Sequence, residues 1–181
     1  MPIGSAFEEV LAAARAGGDW AWRILYEDLA PAVLGYLRAR GARDPEDLLG
    51  EVFLQVVRDL PGFEGDEAGF RAWVFVIAHR RLVDDVRRRT RRPETPVAHE
   101  QLEPQPWTGS VEGQALDAVA GERVRAVIEG LVPAQRDVLL LRIMGGLTIE
   151  EIAEAVGKRP GAVKALQRRG LAAVRRALDA G

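Results

Sequence analysis

The chain has 181 residues, and its 25 basic and 27 acidic side chains give a formal net charge of −2. With 48% hydrophobic and 29% charged residues, the composition fits a soluble globular protein of one domain or two small ones and excludes a wholly disordered chain. Cysteine is absent, which excludes disulfides, thiolate metal sites and a cysteine nucleophile. Because no apolar run is long enough to span a bilayer and the N-terminus lacks a basic start, we expect a cytoplasmic protein without membrane insertion or a signal peptide.

Helical periodicity runs through the N-terminal half of the chain. Apolar residues at helical spacing predict a first helix over residues 7–14. Asp19 is expected to cap a second helix, and Pro31 fits the first turn of a further one. Asp44, followed by a proline, is expected to cap a helix whose apolar face includes Val57. No segment alternates polar and apolar residues for long enough to form a strand, so the predicted fold class is all-α.

Two segments concentrate positive charge. A long helix predicted from Ala68, with Phe70 and Trp73 in its core face, runs into residues 80–92, which hold seven arginines and two aspartates. Residues 158–176 hold seven basic residues and no acid. Each segment lies at the end of a helical pattern, so the two favour two sites that meet phosphate, although solvated helix faces would also explain a single cluster.

Residues 93–117 interrupt the helical pattern. This segment holds four of the ten prolines, five acids and no Lys or Arg, which is typical of an extended acidic linker. It reaches at most roughly 85 Å at about 3.4 Å per residue, whereas DNA half-sites two helical turns apart are about 70 Å apart. We therefore predict two small helical domains, residues 1–92 and 118–181, that the linker allows to sit on separate DNA elements.

The segment TIEEIAEAVGKRPGAVKALQRRG (148–170) has the pattern of a helix-turn-helix. It opens with a capping box at Thr148, and Gly157 stands where the turn needs a positive φ. The second helix is expected to lie in a major groove, led by its N-terminal residues. Its outward basic residues are Arg159, Lys164 and Arg168.

The chain resembles the extracytoplasmic-function (ECF, group 4) sigma factors of bacterial RNA polymerase. DPEDLLGEVFLQVV (44–57) is similar to the family's polymerase-docking helix, and FRAWVFVIAHRRLVDDVRRR (70–89) to the helix pair that opens and reads the −10 element. Residues 132–176 are similar to the domain that reads the −35 element. The recognition helix departs from the family at Pro160–Leu166, which leaves the promoter sequence open.

The resemblance implies roles for particular residues. The polymerase-binding acids would be Asp44, Glu46, Asp47 and Glu51. The residues that meet −10 DNA would be His79, Arg80, Asp84, Arg87 and Arg88, and those on −35 DNA Arg159, Lys164 and Arg168. The loop at 61–69 would hold a base pulled out of the stack, and the linker would enter the polymerase channels. The implied partners are core RNA polymerase, promoter DNA and an anti-sigma factor.

Three other functions compete with this reading. An enzyme is disfavoured because the chain has two Ser and two His without triad, phosphate-loop or metal-ligand spacing, so we expect no catalytic residue, cofactor or metal. A free-standing helix-turn-helix regulator would explain residues 133–176 but not the docking helix, the arginine-rich helix or the linker. An anti-sigma-like interaction module would leave both basic clusters without a role.

Overall fold

The computed structural model describes residues 3–91 and 126–179, which are helical and contain no strand. The all-α fold class predicted from the sequence is confirmed. The linker predicted at 93–117 lies outside the described residues. None of the described helices is both long and apolar enough to cross a bilayer. The helices are α1 (Phe7–Arg15), α2 (Asp19–Ala39), α3 (Pro45–Asp59), α4 (Glu67–Arg91), α5 (Pro133–Ile143), α6 (Ile149–Val156) and α7 (Pro160–Asp179).

Helices α1–α4 form an N-terminal module around one apolar core. Each helix turns one apolar stripe inward, because hydrophobic residues recur every three or four positions along it. In α3 the buried set is Leu48, Leu49, Val52, Phe53 and Val56. An aromatic cluster closes the end of the core where α4 begins, with the Phe63 ring 5.1 Å from Trp73 and 5.3 Å from Phe70. The expected place of Phe70 in the core is confirmed, and Trp73 packs against that core half-buried.

Two expectations about helix ends are wrong, and a third, the cap at Asp44, is confirmed in its position but not in its side-chain hydrogen bond. Asp19 is the first residue of α2, and Gly18 takes the capping position. Pro31 starts no new helix but lies inside α2, which stays continuous because buried residues before and after it, such as Leu29 and Val33, pack on the same core. Asp44 does occupy the cap of α3, yet its side chain accepts no capping hydrogen bond, and its carbonyl accepts one from the Leu48 N–H at 3.0 Å.

Helices α5–α7 form a C-terminal module. The predicted capping box is confirmed, since the Thr148 hydroxyl accepts from the Glu151 N–H and the Glu151 carboxylate accepts from the Thr148 N–H at 2.6 Å. Helix α7 crosses α5 closely at Gly170, where a Cβ would lie 2.8 Å from Leu139 Cδ1. A small residue at this crossing therefore lets the two helices approach.

The capping box makes a prediction about stability. We expect Thr148→Ala to lower the free energy of unfolding by about 1 kcal/mol, because the Glu151 N–H at the start of α6 loses the hydroxyl that accepts its hydrogen bond. Thr148→Ser keeps the hydroxyl and serves as the control. Urea unfolding followed by circular dichroism compares the two variants. An equal loss in both would show that the hydroxyl contributes nothing.

Candidate polymerase and nucleic-acid interfaces

The first turns of α3 present an acidic surface. Asp44, Glu46 and Asp47 are exposed, and Glu51 is half-buried one turn further along. Glu46 accepts a hydrogen bond from Arg38 Nη2 at 2.5 Å, and this bond lowers the pKa of its carboxyl. Asp44, Glu46 and Asp47 also stand near the positive end of the helix dipole, which stabilises their charges there without any partner. The four predicted docking residues therefore share one end of one helix, and their role in docking stays a prediction.

Glu51 has a contact that the sequence did not reveal. Its carboxylate lies 3.8 Å from Arg81 Nη1 of α4, and Arg81 Nε also donates to the Gln55 side chain at 2.7 Å. This arginine of the basic cluster therefore binds α3 rather than facing solvent. Because its position depends on how α3 and α4 pack, only the tertiary structure could assign it.

An apolar strip continues the acidic face of α3. Leu54 is 67% exposed, and Val57 is 49% exposed although the sequence placed it in the buried face. Leu54 follows Asp47 and Glu51 at helical spacing, so the three share one side of the helix. The prediction for Val57 is wrong because the apolar arc of α3 is wider than the surface its neighbours cover. The helical period itself could have identified Leu54, since it recurs with the acids and not with the core residues.

The C-terminal half of α4 carries the exposed basic cluster. The side chains of Arg80, Asp84 and Arg87 are 61%, 66% and 69% exposed, and the carboxylate of Asp84 lies 3.9 Å from Arg87 Nη1. Asp84, Arg87, Arg88 and Arg91 together line one shallow surface depression. This cationic hollow has the charge that a phosphate backbone requires, and its contact with −10 DNA stays a prediction.

His79 differs from its expected place. The sequence put it on the exposed polar face of α4, but only 4% of its surface is exposed, so that placement is wrong for this conformation. Its Nδ1 shares a 2.9 Å hydrogen bond with the Tyr36 hydroxyl and lies 4.0 Å from the Asp137 carboxylate. Burial lowers the pKa of His79 and raises that of Tyr36, so both side chains are neutral near pH 7.

The loop between α3 and α4 is held at both ends. Arg15 of α1 donates hydrogen bonds to the carbonyls of Leu60 and Phe63. Asp66 caps α4 by accepting from the Gly69 N–H at 2.8 Å. The exposed tip between these anchors is Glu64–Gly65, and Gly65 adopts a φ of 152° that favours glycine. The loop therefore has a fixed frame around a small exposed tip, and its role in holding a base stays a prediction.

Helices α6 and α7 have the predicted helix-turn-helix geometry. Gly157 ends α6 in the left-handed region, with φ 64° and ψ 39°, and the Lys158 N–H donates to the Ala153 carbonyl at 2.9 Å. Ile152, Ala153 and Val163 are buried where the two helices cross. The turn therefore requires glycine, and the crossing requires a small residue, as the sequence predicted.

The three predicted −35 residues lie at the start of α7 or on its exposed side. Arg159 precedes α7, and its carbonyl accepts from the Ala162 and Val163 N–H groups. Lys164 and Arg168 are exposed and one helical turn apart, so they project from the same face. The structure therefore places Lys164 and Arg168 on one face of α7 and Arg159 just before its first residue, and their contact with DNA stays a prediction.

Within residues 3–91 and 126–179, no group of three or more His, Cys, Asp or Glu could hold a metal ion. What these surfaces offer is charge: acids on α3, and guanidinium and ammonium groups on α4 and α7. Such an arrangement suits binding to a basic protein surface and to a nucleic-acid backbone.

Two family models and several relatives match this chain. The family model of sigma-70 region 2 matches residues 25–92, and that of sigma-70 region 4 matches residues 121–174. The ECF RNA polymerase sigma factor SigD of Mycobacterium tuberculosis is 32% identical over 176 residues, which cover 93% of this chain and 82% of SigD. ShbA of Streptomyces griseus, another ECF sigma factor, is 33% identical over 154 residues, which cover 80% of this chain and 81% of ShbA.

Solved structures share the fold. The sigma factor RpoE of Bartonella quintana, in complex with the anti-sigma factor NepR, has a TM-score of 0.64 at 20% identity and covers 87% of this chain and 96% of its own. CnrH, in complex with the cytosolic domain of CnrY, has a TM-score of 0.63 at 22% identity and covers 97% of this chain and 99% of its own. By its two regions and its full-length relatives, the chain belongs to the ECF sigma factors, the initiation factors that bind core RNA polymerase and promoter DNA.

Proposed function

We propose that this sigma factor docks on core RNA polymerase through the acidic end of α3 and reads promoter DNA through α4 and α7. The observation that carries the proposal is the separation of charge in the fold. Asp44, Glu46, Asp47 and Glu51 stand at one end of α3, whereas the arginines of the cationic hollow stand at the far end of α4. A basic clamp surface of the polymerase fits the first, and phosphates fit the second.

The roles of the domains follow the same division. Residues 1–92 would dock on core polymerase and would also read and open the −10 element. Residues 118–181 would read the −35 element, and residues 93–117 would form the acidic connection between the two domains. Support comes from the exposed arginines on α4 and the exposed cations on α7. Extruding a −10 base costs a few kcal/mol, which docking and phosphate contacts together would offset.

Leu54 extends the proposed docking surface. An acidic helix end next to an exposed leucine offers both charge attraction and apolar area to a partner helix. The charges would steer the encounter, and the buried leucine would slow dissociation. The protein would act in the cytoplasm, where the polymerase is, without catalysis of its own.

An anti-sigma factor is a further proposed partner. One protein of the same fold, RpoE of Bartonella quintana, was solved with such a partner. The exposed helix faces of both modules offer surface for one. The alternative of a free-standing regulator is not favoured, since residues 25–92 match sigma-70 region 2.

Run-off transcription tests the proposal directly. Purified protein is added to core polymerase on genomic templates, and the start sites are sequenced. We expect specific initiation with core enzyme and weak DNA binding by the protein alone. Tight binding to DNA without core, with a steep salt dependence, would instead indicate an operator-binding regulator.

The docking surface makes a charge-reversal prediction. We expect Asp47→Lys to weaken binding to core polymerase roughly tenfold, or about 1.4 kcal/mol, because a cation would face a basic surface. Glu51→Lys should act in the same direction. Glu9→Lys reverses an exposed acid on α1 and is the matched control. Titration with labelled core enzyme measures the affinity, and circular dichroism confirms folding. Unchanged affinity in both α3 variants would remove these acids from the docking surface.

The recognition helix makes a prediction about specificity. We expect Arg168→Glu to reduce the preference for the cognate −35 sequence over a mutated one by about 1–3 kcal/mol, if the guanidinium reads a base edge. Arg169→Glu makes the same charge change on another side of α7 and should weaken both sequences alike. The ratio of transcription from the cognate promoter to transcription from the mutated one measures this preference. The same ratio in both variants would contradict a base contact by Arg168.

A further inference from the structure

We propose that α1 and the turn before it position the base-holding loop (residues 61–69), and that Arg15 and Glu67 are the two positioning residues that hold this loop. The inference rests on the proposed reading of the −10 element for its consequence, but not for the contacts themselves. The family model of region 2 starts at residue 25, so α1 lies outside the segment that it matches. A part for α1 in promoter reading therefore follows from the packing and not from the family match.

Arg15 joins the end of α1 to the start of the loop. Its Nε lies 3.4 Å from the Leu60 carbonyl oxygen, and its Nη2 donates to the Phe63 carbonyl. Leu60 opens a 3₁₀ turn that Phe63 follows, and the Phe63 N–H donates to the Leu60 carbonyl at 3.1 Å. Because a guanidinium carries several donors in one rigid plane, a single side chain holds both carbonyls of the turn. The helix dipole alone would favour a cation at the end of α1, but it does not require a contact 45 residues away along the chain.

Glu67 joins the other end of the loop to the turn before α1. It is the first residue of α4, and its carboxylate accepts hydrogen bonds from the Ile3 N–H and, at 2.9 Å, from the Gly4 N–H. Ile3 and Gly4 begin the short turn that leads into α1. Both ends of the loop are therefore fastened to residues 3–15.

Aromatic contacts link the loop tip to α1. The Phe7 ring of α1 lies 5.7 Å from the Phe70 ring, which lies 5.3 Å from the Phe63 ring. Phe63 is only 8% exposed, and a Cβ on Gly65 would lie 3.0 Å from Phe63 Cζ. The tip therefore rests on the Phe63 ring, and its position follows the residue whose carbonyl Arg15 holds.

A loop that is fixed in advance binds an extruded base more easily than a mobile one. Extrusion of the base already costs free energy, and a loop that must also become ordered adds the loss of its conformational entropy. Contacts that hold the loop remove this second cost and aim its tip, so they favour one base over another. A phosphate contact, by contrast, raises the affinity for every sequence alike. The effect on base preference therefore separates a positioning role of Arg15 from a phosphate contact.

The first experiment measures amide hydrogen exchange by NMR in the free, full-length protein. We expect Arg15→Met to speed exchange of the Phe63 N–H roughly tenfold, because the turn loses both carbonyl contacts that keep it closed. Arg15→Lys keeps the charge and part of the donor capacity, so its rate should lie between the two. Arg23→Met removes an exposed arginine of α2 and is the matched control. The buried Val33 should exchange equally in all four proteins, and equal Phe63 exchange in all four would overturn the proposal.

Glu67→Gln provides a second, independent variant at the other end of the loop. The amide replaces one accepting oxygen by a donor, so it cannot accept from both the Ile3 and the Gly4 N–H groups. We expect faster exchange at Gly4 and also at Gly69, whose N–H is bonded to the Asp66 carboxylate next to Glu67. Glu8→Gln makes the same change at an exposed acid of α1 and should leave both rates unchanged. Unchanged Gly69 exchange in Glu67→Gln would remove Glu67 from the positioning residues.

The consequence for promoter reading is measured with core polymerase on a promoter found by run-off transcription. Templates with single-base changes in the −10 or the −35 element are compared with the cognate one. We expect Arg15→Met to lower the preference for the cognate base roughly tenfold at one position of the −10 element, the usual contribution of one base, and to leave the −35 preference unchanged. Arg15→Lys should again be intermediate. The fraction of active protein cancels in each ratio, so partial unfolding does not produce this pattern. An equal loss on every template would indicate a phosphate contact or lower stability and would overturn the positioning role.

The two measurements fail separately. The exchange experiment contains neither polymerase nor DNA, so an absence of transcripts would overturn the proposed function while leaving the loop contacts standing. Faster loop exchange in Arg15→Met with an unchanged −10 preference would overturn the inference about promoter reading, while the docking and −35 roles would stand.

Discussion

The packing of α4 against α2 and α3 is the interaction on which the rest of the structure depends. One face of this 25-residue helix is buried through residues such as Phe70, Phe75 and Leu82. The same helix then extends beyond the core, where its arginines meet solvent. Burial of the apolar face fixes the helix rigidly, so the charged end is presented in a defined direction. A basic segment that is not packed on a core would lose conformational entropy when it became ordered on DNA.

The packing of α4 also divides the arginine cluster by function. Arg81 and Arg89 pair with acids of their own module, Glu51 and Asp85. Arg80, Arg87 and Arg88 project outward. Arg81 joins α4 to α3, Arg89 pairs within α4, and the outward arginines carry the positive field. A run of arginines is therefore not one surface, because the helical twist turns its members in different directions.

The C-terminal module serves two purposes with the same helices. Its packing of Ile152, Ala153 and Val163 sets the angle between α6 and α7, and the left-handed Gly157 sets the turn. The outer sides of α5 and α6 hold Asp137 and Glu154, which contact the N-terminal module. The proposed recognition of DNA and the contact between modules thus share a scaffold, so a change in one can alter the other.

The sequence by itself determined the all-α fold, the capping box at Thr148, the positive φ at Gly157 and the family, because helical period, cap chemistry and motif order are local properties. It could not place His79, Val57 or the side-chain cap expected at Asp44. These depend on which residues a neighbouring helix covers, and side-chain periodicity does not encode that. Only the tertiary structure decided that Asp137 meets Arg40 and His79, since 97 residues separate Arg40 from Asp137 along the chain and only the packing of two modules brings them together.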